Sequence, residues 1–240
     1  MSVQVVANDV RRPSALFAVT AFLAIVFCRL FLVPFALSRL FPDLLSDPRQ
    51  WWEAQPVLIE LIQQVFVIGL MVYLAGGLKA LGLAKGKGGY AIFRAAAVSF
   101  GLMAVTASCL LHLAILTGWG LTSPIGIRTA IASASIGFTL VALAILAPLE
   151  EEFLVRGYLL PALVQSSVGA VAAAVVTSFL WTACHLGFPW YFLISTFLIG
   201  LLLSYARLSS DSLWPCIVAH ILFNATPIVA MILWPMIGGS

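Results

Sequence analysis

Apolar runs long enough to cross a lipid bilayer follow one another almost without a break along this chain. They leave it very few architectures. A hydrocarbon core of about 30 Å needs roughly 20 apolar residues in a helix. On that scale seven spans are expected, at about 14–38, 56–78, 91–117, 129–163, 168–186, 190–207 and 212–236. Of the 240 residues 62% are hydrophobic and 9% charged, against about 25% charged in a soluble domain. The mean hydropathy is +1.11. The expected class is all-α, a polytopic transmembrane helical bundle of about seven spans (six to eight). No hydrophilic stretch is long enough for a second unit, so residues 1–240 read as a single integral-membrane domain.

The fourth run is too long for one straight crossing, and Pro148 is expected to kink it. The first run exceeds the 7–15 residues of a signal-peptide core, so it reads as an uncleaved helix. Arg11 and Arg12 precede it, and Lys79, Lys85, Lys87 and Arg94 cluster between the second and third spans. Arg39, Arg49 and Arg128 on the opposite side are diluted by Asp43, Asp47 and Glu53. This bias predicts a cytoplasmic N-terminus. Trp51 and Trp52 read as interfacial anchors. The net charge of +3 is topological; no basic stripe with interleaved aromatics suggests nucleic acid. Cys28, Cys109, Cys184 and Cys216 form no CxxC pair, which argues against a disulfide framework or a zinc knuckle.

Ionisable side chains within spans are costly and normally mark function. Here they are Arg29, Glu60, His112, Glu150, Glu151, Glu152, Arg156, His185 and His220, with Asn224 as a buried amide. Glu152 and Arg156 are four apart and share a helix face. Glu151 is rotated from Glu152 by about 100°. It can therefore face a cavity while the Glu152–Arg156 pair is satisfied elsewhere, a division that leaves one carboxylate for general-base or proton-relay work. Trp181 precedes His185 by one turn and is placed to wall its imidazole. His220 and Asn224 are one turn apart, with Cys216 a turn earlier. Straight antiparallel helices, at about 1.5 Å per residue, bring Glu151, His185, His220 and Asn224 into one layer. Carboxylate and imidazole can deprotonate a water, while a second imidazole and an amide donate to an oxyanion. That is a hydrolase site without a covalent nucleophile. Arg29 and Glu60 are candidates to pair across the first two spans. His112 reads as a satisfied core side chain, Tyr158 and Phe188 as candidate cavity aromatics.

The segments "EEFLVR" (151–156), "WTACH" (181–185) and "HILFN" (220–224) together resemble the three motifs, EExxxR, FxxxH and HxxxN, of the CPBP family of intramembrane glutamic endopeptidases. That family includes the type-II CAAX prenyl endopeptidases and bacterial relatives. The resemblance covers about residues 130–230, expected as the catalytic core. It implies that Glu151 and His185 activate the attacking water and that His220 and Asn224 stabilise the oxyanion. Glu152 and Arg156 would give structural support, as would Trp181, which stands where the family usually has Phe and is expected to change the pocket's shape. Glu150 matches no motif position. The resemblance further implies no cofactor, no metal, a peptide or membrane-protein substrate that is lipidated in the best-known cases, and a bacterial cell (inner) membrane location. The family's cavity is reached from the cytosol and from lipid, whereas the charge bias here leaves the site nearer the opposite face.

Four other readings compete. Glu151, His185 and His220 could hold Zn²⁺ as a His₂-carboxylate site. Cys216 beside His220 could be a thiol nucleophile. The chain could be a non-catalytic scaffold or bacteriocin-immunity-type protein on the same fold, or a proton-coupled transporter.

Overall fold

A computed structural model of the chain describes residues 13–40, 57–83, 89–117 and 136–233. Arg11, Arg12, Lys85, Lys87, Arg49, Arg128, Trp51 and Trp52, invoked for topology, lie outside the described residues, as do Asp43, Asp47 and Glu53. Among the described residues the protein is all-α, with seven long helical runs that follow the seven expected spans and a short π stretch, Lys79–Leu83, after the second. Helix α1 comprises Ala15–Phe27, a π-helical stretch Cys28–Leu32 and Val33–Leu40. Then come α2 (Val57–Ala75), α3 (Gly89–Leu116), the composite α4 described below, α5 (Ala170–Ala183), α6 (Trp190–Ser210) and α7 (Trp214–Leu233). Ala15–Leu32, Gly89–Leu116 and Trp190–Ser210 are long and apolar enough to cross a membrane, and Glu60–Ala75, Ala170–Ala183 and Trp214–Ala230 are shorter apolar helices. Outward-facing apolar side chains such as Leu16, Phe66, Val105 and Val171 form a surface suited to lipid and not to water. The protein is an integral-membrane helical bundle.

Helix α4 is the centre of the bundle. It runs as Ile136–Thr139, a π stretch Leu140–Leu146, an α-helical turn and a half Ala147–Glu152, a second π stretch Phe153–Leu159, and Leu160–Gln165. The expected kink at Pro148 takes this form. A proline lacks the N–H for the i→i−4 bond and its ring crowds that carbonyl; widening the preceding turn to i→i+5 bonding absorbs both. Each π stretch of α1 and α4 ends one residue short of a proline: Leu32 before Pro34, Leu146 before Pro148, Leu159 before Pro161. Every residue from Glu152 to Leu163 is buried, as expected of a helix surrounded by others. α1, α2, α5 and α7 all pack on it, and α3 closes the far side of α6 and α7.

Short turns hold the C-terminal half together. Ser166 Oγ donates to Leu163 O at 2.6 Å where α4 ends, and α6 ends at Asp211 in the left-handed region (φ 53°). Two glycines mark close approaches. A Cβ on Gly200 would lie 2.8 Å from Ser178 Cβ, so α5 and α6 touch there through small residues. Gly82, at φ 92°, has Arg207 against it so tightly that a Cβ would sit 2.6 Å from the guanidinium. Gly82 O and Leu83 O then accept Leu213 N (2.9 Å) and Trp214 Nε1 (3.2 Å), which ties the segment after α2 to the α6–α7 turn.

Candidate active site

Three consecutive carboxylates leave the α-helical turn of α4 in three directions, as an advance of about 100° per residue requires. Glu150, buried, points toward α1 and α2, where Arg29 sits between it and Glu60. Gln64 Nε2 donates to Glu60 Oε1 at 3.0 Å. The Arg29–Glu60 pair expected from sequence is present, and Glu150, which had no role there, is its third member.

Glu152 points the other way. Its Oε1 accepts from Arg156 NH1 at 3.1 Å and from His220 Nδ1 at 2.8 Å, all three side chains being buried. Arg156 NH2 lies 3.4 Å from Gly200 O. Its guanidinium stands over the Trp181 ring at 4.4 Å from the centroid, a cation–π contact strengthened by exclusion of water. The pair is thus more than an i,i+4 staple. Because a carboxylate only accepts, His220 Nδ1 carries a proton and the orientation of Nε2 is fixed.

Glu151 lies between these two networks, with 26% of its side chain exposed. Trp181 Nε1 donates to Glu151 Oε2 at 2.6 Å, and His220 Nε2 lies 4.0 Å from the same oxygen. The latter separation is too long for a direct hydrogen bond and suits a shared water or substrate oxygen. His185 follows the end of α5; its Nδ1 donates to Trp181 O at 2.9 Å, so in the neutral ring Nε2 keeps the lone pair. Both imidazoles stand edge-on to the Trp181 ring, at 5.4 and 5.5 Å between centroids, and both act electrostatically on Glu151. His185 is covered by Phe188 and Phe192, themselves stacked at 4.5 Å.

The structure therefore gathers Glu151, His185, His220, Glu152 and Arg156 around Trp181. Asn224 stands apart from that group: its Nδ2 donates to Leu143 O at 3.1 Å, two turns before Glu151 on α4. Trp181 carries more than the sequence reading gave it, since a phenylalanine could supply the edge contacts but not the N–H to Glu151. The signal was there, in an indole facing a carboxylate-bearing helix. Cys216 is fully buried, with Sγ 3.2 Å from Leu203 O. Tyr158 is buried in the core, while Phe188 lines the site. His112 corrects an expectation: it is satisfied, donating Nδ1 to Ser108 O at 2.8 Å, but it is exposed on the outer face of α3 and is not in the core. Among the described residues no three His, Cys, Asp or Glu side chains converge as a set of metal ligands.

Residues 132–226 match the family model described as "Type II CAAX prenyl endopeptidase Rce1-like". The match takes in α4 through most of α7, with all three motifs and their contacts, and bears out the resemblance read from the motifs. No curated protein and no solved structure matches the chain.

Proposed function

We propose that the protein, whose residues 132–226 match an Rce1-like family model, is a metal-independent glutamic endopeptidase that hydrolyses a peptide bond of a membrane-associated substrate. The match of that region to a family of CAAX-type proteases supports the activity class; the site geometry supports the rest. Residues 130–230 form the catalytic core in this reading, and residues 1–240 act as one domain, since Arg29 and Glu60 of the first two helices contact the catalytic turn through Glu150.

One observation carries the mechanism. Glu151 Oε2 is held by the Trp181 N–H and faced by His220 Nε2, which leaves Oε1 on a half-open side chain to take a proton. A water between Glu151 and the Nε2 of His185 attacks the carbonyl carbon, and its proton passes to Glu151. The tetrahedral oxyanion receives donation from the Nε2–H of His220 in its imidazolium form, whose Nδ1–H is held by Glu152, while Asn224 keeps α7 against α4 through Leu143 O. Collapse breaks the C–N bond, the proton on Glu151 goes to the departing amine, and an acid and an amine result. Glu152 and Arg156 hold His220, and Trp181 holds Glu151.

The test is a comparison of peptide termini in cells carrying wild type or Glu151→Gln, expressed equally, followed by assay of the purified protein with a substrate so identified. Termini absent only from the mutant, and turnover unchanged by a zinc chelator, are expected. Identical termini in both would favour a non-catalytic scaffold on this fold. Loss of turnover on chelation with recovery on adding Zn²⁺ would favour the metal reading.

A further inference from the structure

We propose that Arg207 is the centre of a phosphate-binding site away from the candidate active site, and that the phosphate it takes is the headgroup of an anionic phospholipid. His185 meets α6 in its first turn, through Phe192, whereas Arg207 lies in its last. The proposed peptidase chemistry uses no residue of that end, so the lipid site can be tested without turnover.

Arg207 is a buried cation with too little counter-charge. Its side chain is 5% exposed, yet its one ion pair among the described residues is with Asp211, at 3.5 Å and from a carboxylate that is 63% exposed. Its Nε is buried without a hydrogen-bond partner. A buried charge normally has a close, hydrogen-bonded partner. Arg156 shows that condition met in the same chain, with Glu152 at 3.1 Å and both side chains sealed. The negative end of α6 offsets part of the deficit at Arg207, but it amounts to only about half a charge.

The surrounding groups do not make up the rest. Lys79–Leu83 is folded onto the guanidinium through Gly82, whose missing Cβ and positive φ allow the close approach. The carbonyls of Gly82 and Leu83, however, are turned to Leu213 N and Trp214 Nε1. What this end does present is further positive charge. Lys79, exposed, opens the same short stretch, and α7 begins there with the positive end of its dipole. A phosphate suits that setting, since its oxygens match the fork of a guanidinium and accept from it two at a time. Depth favours a lipid as its carrier. The 21 residues of α6 span about 31 Å, close to the thickness of the hydrocarbon core, which puts the last turn at headgroup level. Trp214 lies there as an interfacial aromatic, and with Leu78, exposed beside Lys79, it offers apolar surface to the acyl chains. Basic pockets between transmembrane helices hold anionic headgroups in this way. A lipid so bound joins the stretch after α2 to the α6–α7 turn.

The experiment follows the melting temperature of the full-length protein in a neutral detergent during titration with short-chain phosphatidylglycerol, phosphatidylcholine or inorganic phosphate. Phosphatidylglycerol is expected to raise it saturably and at lower concentration than phosphatidylcholine, with a weak effect of inorganic phosphate. Arg207→Gln should raise the half-saturating concentration of phosphatidylglycerol about 10-fold or more, as the loss of a charged hydrogen-bonding partner requires. Asp211→Asn removes the competing carboxylate, and asparagine accepts the left-handed backbone at this position (φ 53°). It should lower that concentration, and it keeps the test open if Arg207→Gln does not fold. Inorganic phosphate as effective as phosphatidylglycerol would overturn the assignment to a lipid. Equal effects of the two lipids, or a response unchanged by the substitutions, would overturn the site itself.

Discussion

Two ion networks flank Glu151, and they differ in what they enclose. On the side of α1 and α2, one guanidinium, Arg29, serves two carboxylates, Glu60 and Glu150, with 27% and 20% of the Arg29 and Glu60 side chains still exposed. On the side of α5–α7, Glu152, Arg156 and His220 are sealed from solvent, and one carboxylate oxygen of Glu152 accepts from both of the others. The first joins helices; the second also fixes the direction of an imidazole ring. Glu151, one residue from each, belongs to neither. The lesson is that adjacent residues of one sequence motif can be bound to different parts of the molecule and answer to different tests.

The largest effect separates Glu151 from both networks. Glu151→Gln keeps shape and neighbours, and the rate of peptide cleavage is expected to fall about 10²–10⁴-fold with an unchanged melting profile in detergent. Equal losses of activity and melting temperature would put Glu151 among the structural acids. Next, Glu152→Leu leaves Arg156 buried without its partner and should cost about 3–5 kcal/mol of stability. The double change Glu152→Leu with Arg156→Met should restore most of the stability while cleavage stays low, because His220 has lost its orienting carboxylate. Activity that returns with stability would reduce the sealed network to a staple.

Trp181→Phe removes the N–H and keeps the ring. Losing a hydrogen bond to a charged group, worth about 1.5–3 kcal/mol, should lower kcat about 10-fold or more with KM little changed; a rise in KM alone would make Trp181 a pocket wall. Arg29→Met tests the other network. It should lower the melting temperature by less than Glu152→Leu does, its site being partly solvated, and leave kcat close to wild type. His112→Leu, on the outer face of α3, is expected to change stability by no more than about 0.5 kcal/mol.

Hydropathy alone located the helices, because the length of an apolar run in a membrane protein is set by the bilayer. The same physics explains the error at His112. In water an apolar neighbourhood means a core, but in lipid the outside of a helix is as apolar as its inside, so the sequence around His112 does not say which way it faces. The separation of Glu151 from Glu152 was legible because it depends on helical advance within one element. The bond between Glu152 and His220, 68 residues apart, and the third partner of Arg29 were not, since they depend on how helices are packed around α4. A rule was available for Glu150 all the same: a carboxylate in a span without a motif role still needs a cation, and Arg29 was the nearest cation in a span without a settled partner.

The widened turns of α4 make the triplet of acids an indexing device. A π turn holds more residues than an α turn, so Leu140–Leu146 carries slack that a one-residue deletion, for instance of the lipid-facing Val141, can take up without breaking the helix. Everything downstream would then keep its place, with Glu150 still at Arg29, Glu151 at Trp181 and Glu152 at His220. Such a variant should keep both its helical content and its cleavage. Cleavage lost with helical content retained would mean that the slack was not used and that each acid had been turned by about 100° to its neighbour's partner.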